Sequence, residues 1–259
     1  MSAKSNAILE LLKHEHTVRI NSNDRDYSYF HPSEFHECVR KIAYKFYGES
    51  GENNIKPDLQ RIFDNGHYMH ERFVSYFDNL GILYGVWRCS NPLCGKVYGR
   101  EEKLGIKKPT TACTCTNSQY IYEEIEAKNK EYWLSGRVDA LIWLSEEMAV
   151  IDFKSMNSNM FNKLACPPDK HTIQVSIYLW MLGLEHGYLL YENKDTQKIK
   201  VFEVTRNDNL IEKILKRATN LMRIIGLKKL PKRPFERSSN QCKNCQLKKT
   251  CWAKQETTK

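Results

Sequence analysis

Three polar side chains interrupt the strand-forming stretch GRVDALIWLSEEMAVIDFKS, residues 136–155: Asp139, Asp152 and Lys154. If the chain turns at Ser145-Glu146-Glu147, the two aspartates lie on neighbouring strands. Their carboxylates can then converge on one divalent cation, since Mg²⁺ prefers hard oxygen ligands and keeps part of its water shell. Lys154 stands two residues beyond Asp152 and so points to the same strand face. There it would orient or help deprotonate an attacking water and offset phosphate charge. Two carboxylates, a metal ion and a lysine suit phosphodiester hydrolysis, in which the metal polarises the phosphate and generates hydroxide. The same residues would equally serve as ordinary charges on an exposed hairpin.

Two further features bear on that choice. His70, in GHYMH, falls on a helix before the sheet, where an imidazole would complete a metal shell; a lone helical histidine is also common surface or core filler. Gln174 and Tyr178 stand four apart on the helix after the D-x-K strand and share one face. They would hold the lysine, the scissile phosphate or a base, or pack as a core tyrosine with a glutamine beside it.

Nine cysteines without a secretory signal point to metal rather than disulfides. Cys89-x4-Cys94 and Cys113-x-Cys115 have the grouping of a zinc ribbon, in which two knuckles close on one tetrahedral ion; reduced thiols in a loop are the alternative. Cys242-x2-Cys245-x5-Cys251 is one ligand short of the four thiolates that zinc and iron–sulfur clusters both favour. Cys166 is left over and is expected to pack as a small hydrophobe.

The elements that must position these residues follow from periodicity. Helices are expected over 33–47, over 58–80 with Ile62, Phe63, Tyr68, Met69, Phe73 and Phe77 as buried candidates, from His171 to Glu185, and from Asp208, as N-cap, to Ile225. Strands are expected at 82–88, 120–127, 131–144 and 148–154, with a further hairpin around Lys194-Asp195-Thr196. Residues 89–119 lose apolar periodicity and gain Gly, Pro, Thr and Cys. The order predicts an α/β fold with a central mixed sheet flanked by helices. Four regions result: 1–87, helical, with Cys38 and His70; 88–119, a zinc-ribbon-like insertion; 120–205, the core; and 206–259, the basic helix and last cysteines.

With 259 residues, 41% hydrophobic and 27% charged, the chain has the composition of a globular protein. The first sixteen residues read as a short amphipathic helix rather than a signal peptide. No apolar run approaches the span of a bilayer, so no membrane partner and a cytoplasmic location are expected. A net charge of +9 suggests a polyanionic partner. Between Lys213 and Arg237 lie nine Lys or Arg and one acid, Glu236. That stretch would follow a phosphate backbone, with aromatic side chains elsewhere stacking on unpaired bases, or form a solvated face. No phosphate-binding G-x-x-x-x-G-K-[ST] loop occurs, so any helicase or annealing protein would be a separate chain.

G-x-x-x-H at 66–70, G-R-V-D at 136–139, D-F-K at 152–154 and Q-x-x-x-Y at 174–178 occur in one order. Together they resemble the PD-(D/E)XK nuclease superfamily, in the RecB-like branch that includes the iron–sulfur nucleases of CRISPR adaptation. The resemblance covers about residues 35–255, with the zinc-ribbon-like insertion outside it, and implies a restriction-endonuclease-like core. It implies that His70, Asp139, Asp152 and the main-chain carbonyl of Phe153 bind Mg²⁺ or Mn²⁺, and that Lys154 is catalytic. It also implies that Cys38 joins Cys242, Cys245 and Cys251 around a [4Fe–4S] cluster that clips the chain ends together. The implied activity is an exonuclease on single-stranded or frayed DNA ends in replication, recombination or repair, a phage setting included. A flap or junction endonuclease and a non-catalytic DNA-binding scaffold are the alternatives.

Overall fold

The computed structural model describes residues 26–49, 51, 56–115 and 119–253; the amphipathic segment expected over the first sixteen residues lies outside them. The helix expected over 33–47 is broken in two. A single 3₁₀ turn, Pro32–Glu34, is followed by α1 (Val39–Phe46), and Cys38 between them has the extended angles of an N-cap (φ −55°, ψ 122°). The break lets Phe30 and Phe35 from the incoming segment and Ile42 and Ala43 from α1 enter one core together.

α2 (Pro57–Asn79) begins with a proline in its first turn, where the missing N–H costs no hydrogen bond. Met69 and Phe73 are buried as expected, but Ile62, Phe63 and Tyr68 are 47, 44 and 63% exposed. A helix of 23 residues is about 35 Å long, and its first half runs past the sheet that its second half covers.

β1 (Leu83–Cys89) pairs antiparallel with β2 (Val97–Tyr98), β3 (Ile106–Lys107) and β4 (Tyr120–Glu123). β5 (Ile125–Asn129) and β6 (Leu134–Val138) form a two-stranded sheet of their own. β7 (Ala140–Leu144) returns to β1 and makes the expected hairpin with β8 (Glu147–Met156). Ser145 and Glu146 both have positive φ, 50° and 70°, as a tight two-residue turn between twisted strands requires.

β8 then pairs in parallel with β9 (His186–Asn193). A parallel pair needs a crossover connection, and α3 (Ser158–Lys163) and α4 (Asp169–Leu182) supply it. Gly183 closes α4 in the left-handed conformation, φ 74°. β10 (Ile199–Thr205) ends the sheet, whose order is β10-β9-β8-β7-β1-β2, with β3 and β4 also on β1. α5 (Asp208–Gly226) follows, capped by Asn207 rather than by Asp208, since the Asn207 side chain accepts from the Leu210 N–H. Short helices α6 (Asn240–Lys243) and α7 (Lys248–Ala253) carry the last cysteines.

The sheet is covered on both faces. Alternate residues of β8 point to opposite sides: Ile151 and Phe153 pack with Met69 and Phe73 of α2, while Val150 packs with Val175 and Leu179 of α4. Asp152 and Lys154 share the α4 face. The Phe153 ring stacks on both Phe73 and Phe77, with centroids 5.4 and 6.1 Å away. Emptying such an aromatic site costs about 3–5 kcal/mol, so α2 is firmly seated against the strand that carries the D-x-K triplet. Among the described residues no helix is long and apolar enough to cross a membrane.

Candidate active site

The strands expected at 120–127 and 131–144 are each divided at a carboxylate. Glu124 separates β4, in the large sheet, from β5 in the small one; Asp139 separates β6, in the small sheet, from β7 in the large one. Because Ile125 pairs with Val138, the residues just outside that pair, Glu124 and Asp139, meet at the same crossing point. The carboxylates of Glu124 and Asp139 and a ring nitrogen of His70 lie within 4.8 Å of one another. Glu124 was not singled out in the sequence, where it is the second of two adjacent glutamates in a strand-like run.

Asp139 lies one residue before Ala140, whose partner is Ile151, and so stands beside Asp152. Its Oδ2 accepts a 2.7 Å hydrogen bond from the Phe153 N–H and lies 3.7 Å from Nδ1 of His70. The His70 ring also reaches the Phe153 carbonyl and lies edge-on to the Phe153 ring, centroids 5.2 Å apart. His70, Asp139 and the Phe153 main chain are therefore one local group, as the motifs imply.

Asp152 is 1% exposed. Its Oδ1 accepts from Nε2 of Gln174 at 2.8 Å, and its Oδ2 touches the Lys154 ammonium without an aligned hydrogen bond. Gln174 also bonds the Tyr178 hydroxyl. One face of α4 thus holds both partners, while Gly136 lets the β6 strand approach: a Cβ there would stand 2.8 Å from Pro32 and 2.9 Å from the Tyr178 hydroxyl. The glycine of G-R-V-D is a packing requirement for the tyrosine of Q-x-x-x-Y.

The electrostatics are those of an anionic site short of positive charge. Burial raises the Asp139 carboxyl above the usual range, against the pull of Lys154 and the Phe153 N–H. Burial raises Asp152 to about 6, Lys154 opposing and Asp139 adding. Glu124 is exposed to solvent on its surface side, yet desolvation and then repulsion from Asp139 lift it to about 7, Arg137 opposing. Burial and Lys154 lower His70 to about 4, so its imidazole is neutral at pH 7, the form in which histidine binds a metal. Crowded carboxylates beside a neutral imidazole fit a divalent cation, whose charge would offset the repulsion between the carboxylates.

His70, Glu124 and Asp139 open into a cleft of about 1220 Å³. It runs along α2 through Glu71 and Asp78, over β4 and β5, to Arg88, Arg100 and Lys103 and to Met181 and Leu182 of α4.

The four cysteines of residues 89–115 come together. Their sulfurs lie within 4.8 Å of one another, with Cys89–Cys115 at 3.5 Å and Cys94–Cys113 at 3.6 Å. Thiolates about 2.3 Å from a tetrahedral zinc ion are about 3.8 Å apart, so the set has the dimensions of a zinc site. Burial, with the neighbouring thiols adding, pushes Cys89 up to about 12; a cation would reverse this by replacing the protons.

The other set is looser. Burial raises the Cys38 thiol, and Cys245 and Cys251 add to the shift, so the three are neighbours. Cys242 lies on α6 and Cys251 on α7. Among the described residues they do not close on a single point as Cys89, Cys94, Cys113 and Cys115 do. The surrounding chain ends are tied together by Arg40 donating to the Pro231 carbonyl at 2.6 Å, Tyr47 to the Lys229 carbonyl at 2.9 Å, and Arg217 to the Glu37 carbonyl. Cys166 is exposed and does not pack as a hydrophobe, because it lies in the loop between α3 and α4.

The fold is similar to the crystal structure of SSO0001, at 19% identity, with 96% of this chain and 98% of that one covered and a TM-score of 0.51. It is also similar to an alkaline exonuclease, LHK-Exo, from Laribacter hongkongensis (11% identity, 78% of this chain and 89% of that one, TM-score 0.47). A phage-related exonuclease from Haemophilus somnus 129PT has 12% identity, 78% and 96% coverage and a TM-score of 0.45. No curated protein sequence matches the chain. The family model of the PD-(D/E)XK nuclease superfamily matches residues 102–252, more than half the chain and inclusive of Glu124, Asp139, Asp152, Lys154, Gln174 and Tyr178, and the chain belongs to that superfamily.

Proposed function

We propose that the protein is a Mg²⁺- or Mn²⁺-dependent exodeoxyribonuclease that degrades single-stranded or frayed DNA from an end. The observation that carries the reading is the convergence of His70, Glu124 and Asp139 at the Phe153 main chain, beside the Asp152–Lys154 pair. His70, Asp139, Asp152, the Phe153 carbonyl and, added here, Glu124 would hold the ion, which supplies phosphate polarisation and an acidified water. Lys154, as the ammonium beside Asp152, would orient the attacking water and offset charge on the phosphate. Gln174 holds Asp152 in register for the ion, and Tyr178 holds Gln174.

The accessory metals complete the proposal. Residues 88–119 form a zinc-ribbon-like insertion on Cys89, Cys94, Cys113 and Cys115. Cys38, Cys242, Cys245 and Cys251 hold a [4Fe–4S] cluster, as in the RecB-like branch with which the motifs agree. The end-first reading is supported by the ties between α1 and the segment after α5, which the cluster would lock into a clip. The nine cations between Lys213 and Arg237 would track the strand. DNA replication, recombination or repair is the setting proposed.

Linear and closed circular single-stranded DNA, incubated with Mg²⁺ or Mn²⁺, test the reading. Linear strands are expected to disappear while circles survive, with a steep loss of activity as salt rises. Equal loss of both substrates would assign the site to an endonuclease instead.

A further inference from the structure

His171 plays no part in the site described above, yet it borders it. It lies one helical turn before Gln174 on α4, and its Nδ1 is 2.7 Å from the Tyr191 hydroxyl. Tyr191 is fully buried and is the register partner of Lys154 across the parallel β8–β9 pair. Its side chain therefore shares the face that carries Asp152 and Lys154.

A buried phenol O–H needs an acceptor, and Nδ1 of His171 is placed to be it. With Nδ1 accepting, the proton of a neutral imidazole sits on Nε2. Among the described residues Nε2 has no hydrogen-bond partner, and it is not among the buried atoms that lack one; it is a donor open to solvent. Lys154, Lys170 and His36 lie near enough to act on the ring. Burial holds His36 itself below its ordinary value, with Glu37 opposing and Lys170 and Arg217 adding, so it contributes no charge at pH 7. Burial first, and then Lys154 and Lys170, lower His171 to about 3, so the imidazole offers a hydrogen bond without a charge of its own. The setting is one an anion would enter: a fixed N–H donor with two lysines, Lys154 and Lys170, near enough to act on it.

We propose that His171, its tautomer fixed by Tyr191, donates Nε2–H to a phosphate of the bound DNA strand next to the scissile one, with Lys170 flanking that phosphate. The proposal rests on the nuclease reading of the Asp152–Lys154 centre, which identifies the anion as a DNA phosphate. Gln174 and His171 then divide the work of α4: one turn orients the metal-binding carboxylate, and the preceding turn grips the strand.

The test is binding of a short fluorescein-labelled oligothymidylate with Mg²⁺ and Mn²⁺ left out, beside cleavage of the same strand with Mn²⁺ present. His171→Ala is expected to weaken binding about tenfold, the typical effect of losing a hydrogen bond to a charged group, and to raise KM more than it lowers kcat. His171→Gln, which keeps an amide N–H near the position of Nε2, is expected to recover most of the loss. Tyr191→Phe leaves the ring but frees its tautomer, and is expected to fall between the two. Lys154→Ala is expected to bind the strand and fail to cut it. Wild-type affinity in His171→Ala would overturn the proposal. So would equal losses in the Ala and Gln variants, since those would mean that the histidine only supports α4. If the wild-type protein cuts no DNA, the nuclease reading fails, and the binding comparison still decides whether His171 grips a strand.

Discussion

Glu124 and Asp139 occupy matching corners, each at the point where a strand leaves one sheet for the other, and their carboxylates meet beside His70. Two carboxyl groups are held this close where a proton or a cation offsets their repulsion, and PD-(D/E)XK nucleases use divalent metals. Glu124→Gln is therefore expected to weaken Mn²⁺ dependence, shifting the ion concentration for half-maximal cleavage upward by about 10–100-fold, the usual effect of a lost carboxylate contact in a metal site. A Mn²⁺ titration of cleavage reads it; an unchanged midpoint would place Glu124 outside the shell.

On the proposed reading, Asp152 and Lys154 serve the metal, the phosphate and the attacking water rather than the fold. Asp152→Asn and Lys154→Ala are each expected to lower cleavage by at least about 10²–10³-fold, as for the loss of one preorganised electrostatic element. Oligonucleotide binding and far-UV circular dichroism should stay close to wild type. Wild-type turnover in either purified variant would remove that residue from the chemistry.

The carboxylates also predict how metal binding depends on pH. Without metal, Glu124 near 7 and Asp152 near 6 still hold protons in the neutral range, and a cation must displace them. Mn²⁺ affinity is expected to rise between about pH 6 and 7.5, with proton release visible by calorimetry in buffers of different ionisation enthalpy. The stability effect has the opposite sign. A carboxyl raised above its unfolded value near 4.3 favours the folded state at low pH, and that contribution is lost as pH rises through the folded value. The Tm of the metal-free protein should therefore fall less between pH 5 and 8 in Glu124→Gln than in wild type. Parallel Tm curves would contradict the raised Glu124 value.

Two cysteine sets of different width should hold different groups. Protein purified without air is expected to be brown, and Cys242→Ser to remove the colour while leaving zinc. Cys113→Ser should lower zinc content and leave the colour. Metal analysis with a visible spectrum separates these outcomes, and a colourless protein containing zinc alone would exclude the cluster.

Much of this site was legible in the chain itself. Alternation across residues 136–155 specifies a hairpin, and side chains two apart on a strand must share a face, so Asp152 with Lys154, and Asp139 beside them, follow from local rules. Gln174 and Tyr178 follow likewise from helical spacing, and the turn at Ser145 from hairpin geometry. The four cysteines between Cys89 and Cys115 announce a tetrahedral site because their grouping is local. Tertiary structure decided the rest, where the determining contacts are far apart in sequence. Glu124 became a ligand candidate because the chain changes sheets there, and no local pattern distinguishes it from Glu123. The exposure of Ile62, Phe63 and Tyr68 on α2 depends on what packs against the helix rather than on its own amphipathic pattern. His171 reached the site because a parallel strand pair brings Tyr191 beside Lys154. Pairings of that kind are set by the crossover through α3 and α4, which a period of 2 or 3.6 residues does not record.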